Sequence, residues 1–149
     1  GLPSEGCRIE SFLIRHPVHR KKFCSEPLSP NKKPKGKKAI THFKVLKTHS
    51  SGVSLIECRL ETGRTHQIRI HMSERGLPLL GDPLYGSRPR ENKLNQNIKS
   101  LLQNLNRVAL HATELGFVHP IHSQNLNFKS SWPADLASLI NMLEFSYVD

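Results

Sequence analysis

The chain has 149 residues, with 22 Lys and Arg against 12 Asp and Glu and a formal charge of +10, so it reads as one basic domain or a piece of one. Hydrophobic residues make up 36%, and no apolar run approaches the roughly 20 residues of a bilayer-spanning helix, which excludes such a span and allows a modest core. Only three acids are aspartates (Asp82, Asp135 and Asp149), so chemistry that requires one has few candidates.

Arg8 to Ile14 reads as a strand running into a basic stretch. Between Arg15 and Lys38 stand nine basic residues (Arg15, Arg20, Lys21, Lys22, Lys32, Lys33, Lys35, Lys37, Lys38) and one acid, Glu26, a net +8 that leaves +2 for the rest of the chain. Pro17, Pro27, Pro30, Pro34 and Gly36 preclude a continuous helix, and the stretch 15–38 is expected to be a basic loop between two short strands. Functionally this is a phosphate-contacting arm, whose affinity would fall with salt as counterions are released; the plain alternative is a solvated surface loop. Neither tyrosine nor tryptophan occurs in it, which disfavours base stacking as its main mode.

Ala39 to Lys47 alternates Thr41, Phe43 and Val45 against Ile40, His42, Lys44 and Leu46, and the first set is the expected buried face. Val53 to Leu60 is a second strand, joined to it by Ser50-Ser51-Gly52 as a hairpin. Thr65 to Arg75 places Ile68, Met72 and Arg75 at helical spacing, with Thr65 as the start and Gly76 as the C-cap. Leu77 to Gly86 is dense in turn formers and reads as an ordered loop. Residues 87–106 carry a stripe of Leu94, Ile98, Leu101, Leu102 and Leu105 among Asn, Gln and Lys, read as a surface insertion with one amphipathic helix. Val108 to Val118 and Leu126 to Phe128 are strand-like. Pro133 to Leu143 is a helix with Ser131 or Trp132 near its cap and Pro133 at N1. The expected fold class is α+β, a largely antiparallel or mixed sheet with flanking helices, and the strand count suggests a partial domain.

The densest polar cluster runs from Glu61 to His71 (ETGRTHQIRIH), where a strand delivers a glycine turn and then the start of a helix. Unpaired N–H groups and a positive dipole end are expected there, so Arg64 would face an anion, either a phosphate or a catalytic carboxylate. The alternative is that Arg64 and Arg69 brace the sheet through Glu57 or Glu61. Nine histidines invite a metal reading, but His66 and His71 are five apart, no HExxH occurs, and His119 and His122 have no cysteine nearby, so no metal is expected. His111 and His119 are assigned to structural hydrogen bonding or RNA contact. Cys7, Cys24 and Cys58 form no CxxC pair, carry no pattern of an activated thiol, and with no secretory signal in the sequence fit a reducing, cytoplasmic setting.

The string LETGRTHQIRIHMSERGLPLLGDPLYG (Leu60 to Gly86), with RVALHATELGFVHP (Arg107 to Pro120), IRHPVHRKKF and GKKAITHFKVL, resembles the C-terminal half of the RluA-type pseudouridine synthases over nearly all the chain outside 87–106. The resemblance implies isomerisation of uridine to pseudouridine in structured RNA, ribosomal or transfer, without metal or organic cofactor. It further implies that an aspartate attacks a flipped-out nucleoside while an arginine, matched here by Arg64, holds that aspartate ionised. The family's aspartate lies in an HRLD motif, which this sequence lacks, as it lacks the upstream motif bearing the pocket tyrosine; Asp82 matches a different position. Residues 1–149 are therefore expected to be the C-terminal part of one catalytic domain, inactive alone, with the missing N-terminal part as partner. RNA contact is expected from Thr65, His66, Gln67, Arg69, Arg15, Arg20, Lys21, Lys22, Lys32 and Lys33. The alternatives are a non-catalytic RNA-binding module and a basic structural protein of the ribosome.

Overall fold

A computed structural model describes residues 6–145. Four strands, β1 (Cys7–Arg15), β2 (Phe23–Ser25), β3 (Lys37–Thr48) and β4 (Ser54–Leu60), form an antiparallel sheet in the order β2-β1-β3-β4. The β3–β4 hairpin is the one the alternation predicts, and Gly52 in its turn takes φ 84°, a left-handed value that suits glycine. A register shift between Val45 and Lys47 marks a bulge near that turn.

One sheet face is apolar except at its centre. Ile9 and Leu13 of β1 and Ala39 and Phe43 of β3 are buried, and Ile9 pairs in register with Thr41, and Ser11 with Ala39. The helix α1 (Gln67–Glu74) covers this face, placing Met72 against Ile9 and Phe43, and Ile70 against Leu13 and Ala39. Ile40, on the opposite register from Thr41 and Phe43, is buried as well. Other residues of that opposite face form exposed polar pairs, Lys38 with Glu10 as an ion pair and His42 hydrogen-bonded to Glu61 among them, which contribute little to stability.

The helix α1 ends as expected. Leu77 N–H donates to the Met72 carbonyl and Gly76 N–H to that of Ser73, a Schellman pair that needs the φ of 73° adopted by Gly76. Its beginning differs: residues 65 and 66 are turn, His66 is the N-cap, and the helix starts at Gln67 rather than Thr65.

Two short helices, α2 (Arg88–Glu91) and α3 (Gln96–Leu105), replace the single helix expected in 87–106, and α3 is not a surface excursion. Its Ile98 and Leu105 are buried with Leu136, Leu139 and Leu143 of α4 (Ala134–Met142) and its C-terminal turn, forming a second core that also takes in Val53 and Leu55. Asn95 caps α3 by accepting from Ile98 N–H at 2.9 Å. The α4 start lies one residue later than expected, with Pro133 as N-cap. Of the run Val108 to Val118, only β5 (Glu114–Val118) is strand. It pairs with β6 (Asn125–Lys129) in a separate two-stranded sheet. The architecture is thus α+β with antiparallel sheets.

Candidate functional site

The ETGRTHQ segment crosses from β4 to α1, and one side chain organises it. Gln67 is buried, and its amide uses every hydrogen-bonding position it has. Its Nε2 donates to the Ile40 carbonyl at 2.9 Å and to Thr41 Oγ1 at 3.0 Å. Its Oε1 accepts from Thr62 Oγ1 at 2.7 Å and from Arg64 N–H at 3.0 Å. Gln67 is therefore spent on the turn and is not available to RNA. It closes the loop around Arg64, whose own Nε donates to the Lys38 carbonyl at 3.0 Å. The arginine is exposed, with its backbone fixed by a buried amide and its guanidinium set beside the end of the basic stretch.

Below Gln67 lies the polar centre of the sheet face. His71 is buried, with Nδ1 2.8 Å from Thr41 Oγ1 and Nε2 2.9 Å from Ser11 Oγ. Burial lowers its pKa, Glu74 partly offsets that, and Arg75 adds to it, so the ring is neutral near pH 7. A neutral thread of Ser11, His71, Thr41 and Gln67 thus runs from β1 to the Arg64 backbone, satisfying groups that would be costly to bury alone.

Arg69 is not free either. Its Nε and Nη2 make a bidentate pair with Asp82, both contacts at 2.7 Å, and its partner is neither Glu57 nor Glu61. Asp82 Oδ1 also accepts from Leu84 and Tyr85 N–H at 2.9 and 3.0 Å. Burial would raise the Asp82 pKa, but the Arg69 hydrogen bond, then the two amides and the Arg69 charge, hold it below the usual carboxylate range. Asp82 is a structural brace in the ordered loop.

The basic stretch is a hairpin arm docked on this junction. Its strand β2 pairs with β1 from Leu13–Ser25 to Arg15–Phe23. Its one acid acts within the arm. Glu26 accepts from the Lys35 and Gly36 amides at 2.8 and 2.7 Å, bringing the chain back so close to β1 that a Cβ on Gly36 would stand 2.9 Å from the Phe12 backbone. Among the described residues, Arg15, Arg20, Lys21, Lys22, Lys32 and Lys33 pair with no acid, and all but the half-buried Lys22 are exposed.

Sequence reading missed the aromatic residues that join arm to junction. Arg15 lies over the Phe23 ring at 5.2 Å, Phe23 meets His66 edge-on at 6.2 Å, and His66 meets Tyr85 edge-on at 5.6 Å. Tyr85 carries Arg69 at 5.0 Å and Lys22 at 5.8 Å from its ring centroid. Its hydroxyl accepts from Phe23 N–H at 2.8 Å and lies 3.2 Å from His66 Nδ1. The structure therefore brings Arg64 and His66 to the arm, through the Lys38 carbonyl and the Phe23 ring, with Thr65 exposed between them. It turns Gln67 and Arg69 inward.

The remaining candidates have structural surroundings. His119 Nδ1 accepts from the Ile121 and His122 amides, a turn-capping role, and His111 packs against Trp132. The Cys58 thiol is pushed up to about 11 by burial and by Glu57, which keeps it protonated and inert. Among the described residues no three His, Cys, Asp or Glu side chains are placed to hold a metal ion.

A family profile described as RNA pseudouridylate synthase matches residues 8–74. Ribosomal large subunit pseudouridine synthase D of Zymomonas mobilis is 44% identical over 98% of this chain, and that of Haemophilus ducreyi 38% identical over 99%. The chain spans 43% of the length of each of these relatives. Among solved structures, human RNA pseudouridylate synthase domain containing 1 superposes with a TM-score of 0.62 at 22% identity, covering 95% of this chain and 60% of that one. Human RNA pseudouridylate synthase domain containing 4 gives 0.60 at 25% identity, covering 93% of this chain and 56% of that one. The likeness to the ribosomal large subunit pseudouridine synthases runs nearly from end to end of the chain and takes in the GRTHQ junction, which the matched profile also spans.

Proposed function

We propose that residues 1–149 are the C-terminal part of a pseudouridine synthase catalytic domain that isomerises uridine in ribosomal RNA, and that they supply its arginine, one pocket wall and an RNA-binding arm. The observation that carries this reading is Arg64, locked through its backbone to Gln67 yet exposed beside an arm of unpaired cations. The ribosomal substrate follows the relatives named for the large subunit. In the reaction the family implies, an aspartate attacks the flipped-out nucleoside, the glycosidic bond breaks, and the base rejoins through carbon. Arg64 would hold that aspartate ionised, Thr65 and His66 would contact the RNA, and the arm would neutralise phosphates.

The nucleophile would come from an N-terminal part carrying HRLD, a motif absent from this sequence. Two surfaces support such a partner. The β5–β6 hairpin exposes Leu115, Val118 and the stacked rings of Phe117 and Phe128, and a lone two-stranded sheet is marginal in water. A cavity of about 530 Å³ lined by Leu55, Met72, Leu77, Leu80 and Leu136 also opens between the two cores. We expect no pseudouridine when the chain alone is incubated with uridine-labelled ribosomal RNA, and product when an HRLD-bearing N-terminal segment is co-expressed with it. Turnover by the chain alone would refute the assignment of the nucleophile.

The arm has its own test. Changing Lys21, Lys22, Lys32 and Lys33 together to Ala should reduce the slope of log affinity against log salt by up to roughly 3.6, about 0.9 for each phosphate no longer neutralised on duplex-like RNA. An unchanged slope in filter-binding titrations would remove the arm from the interface.

A further inference from the structure

We propose that Tyr85 is a positioning residue: its hydroxyl locks His66 as the tautomer protonated on Nε2, making His66 a neutral hydrogen-bond donor, beside Arg64, for an oxygen of the bound RNA. This rests on the RNA-binding reading above and adds to it a residue outside the GRTHQ segment.

Phe23 N–H donates to Tyr85 Oη at 2.8 Å, which occupies an acceptor position on the phenol oxygen and leaves the hydroxyl proton to be placed. The acceptor at hand is His66 Nδ1, 3.2 Å away. A Tyr85 O–H donated to Nδ1 requires that nitrogen to be unprotonated, so the ring proton of the neutral imidazole sits on Nε2. The reverse arrangement, with Nδ1–H donating, would load the phenol oxygen with two donors and leave its own proton without a partner.

The backbone and the neighbouring rings then fix where that donor stands. His66 has φ 58°, a left-handed conformation costly for a residue with a Cβ, held between the Arg64 turn and the first turn of α1. Gln67 N–H donates to the Arg64 carbonyl and Ile70 N–H to the His66 carbonyl, so the strained residue is pinned on both sides. Its ring meets Phe23 and Tyr85 edge-on, and Tyr85 is itself held by the Arg69 guanidinium, which Asp82 fixes in turn. The rings facing His66 are thus Phe23 from β2 and Tyr85 from the loop, and the nearby charges are Arg69 from α1 and its partner Asp82. One oxygen anchors both the arm, through the Phe23 amide, and the histidine beside Arg64.

The test uses the chain as it stands. In ¹⁵N spectra at pH 7.5, His66 should show a protonated Nε2 and an acceptor Nδ1, and Tyr85→Phe, which keeps the ring and its cation contacts, should return it toward a tautomer mixture. In binding to a ribosomal RNA fragment, His66→Ala and Tyr85→Phe should each weaken affinity roughly fivefold, the size of one neutral hydrogen bond, and the double variant should be no worse than His66→Ala. A wild-type His66 protonated on Nδ1, or fully additive losses, would overturn the proposal. Should Tyr85→Phe fail to fold, the wild-type tautomer alone decides the role of Tyr85. An absence of RNA binding by the wild-type chain would overturn the functional reading and the donor's ligand, whereas the tautomer spectrum is independent of RNA and still judges Tyr85.

Discussion

Arg69→Ala is expected to cost the fold about 3 kcal/mol, the lower end of the 3–5 kcal/mol typical of removing one member of a buried ion pair. The Asp82 side chain is 0% exposed and that of Arg69 14%, and both contacts are 2.7 Å, so the guanidinium supplies most of what holds the carboxylate in place. Two amides remain on Oδ1 in the variant, which is why the loss should sit at the low end. By contrast, removing Arg59 from its exposed pair with Glu57 should cost under about 1 kcal/mol. For a chain of this length the Arg69→Ala loss corresponds to a fall in Tm of roughly 6 to 12 °C. Urea unfolding decides it: a loss below about 1 kcal/mol would mean that the loop relaxes and hydrates Asp82.

The same pair fixes the acid limb of stability. The folded pKa of Asp82 lies below its ordinary value, so its contribution is fully present above the unfolded pKa of about 3.9 and is lost as pH falls through the folded value. The gap between wild type and Arg69→Ala should therefore narrow in strong acid. His71 acts at higher pH with the same sign. Its folded pKa is lowered, so the unfolded chain takes up a proton first, and stability declines as pH falls below about 6.5.

Legibility followed the range of the interactions. The β3–β4 hairpin and the Gly76 cap were readable because a period-2 pattern and a left-handed glycine are local signals. The strand-to-helix junction at Arg64 and the clustering of exposed positive charge in 15–38 were readable because both are properties of adjacent residues. Gln67 and Arg69 were misassigned because a dense polar segment looks the same in sequence whether it faces a ligand or the interior. Their partners, Ile40, Thr41 and Asp82, are 27, 26 and 13 residues away. Tyr85 left no signal, since its part is created by β2, 62 residues distant. The α3 stripe failed similarly: Asn, Gln and Lys between the leucines suggested a solvated helix, while α4, far along the chain, buries one side of it. The run Val108 to Thr113 has strand-like composition, but a strand needs a ladder partner, and among the described residues only Glu114–Val118 finds one.

In a complex of this chain with an HRLD-bearing N-terminal segment, Arg64→Ala should lower single-turnover pseudouridine formation by about 10³-fold while changing RNA affinity less than about threefold. The asymmetry comes from what the guanidinium would face. A nucleophilic carboxylate must be ionised and aimed, and a cation within about 4 to 6 Å does both, whereas on the proposed reading RNA affinity would be spread over the arm's many unpaired cations. Arg64 is suited to that role because its position is set from behind: Gln67 holds its N–H, and the Lys38 carbonyl takes only Nε, leaving the terminal nitrogens to meet a carboxylate. Arg64→Lys keeps the charge but loses the planar fork, so it should recover only part of the rate. A Gln67→Leu variant should resemble Arg64→Lys rather than Arg64→Ala, because it leaves the charge in place and frees the backbone that aims it. Equal losses of turnover and RNA affinity in Arg64→Ala would instead make the residue a phosphate contact, no different in kind from the lysines of the arm.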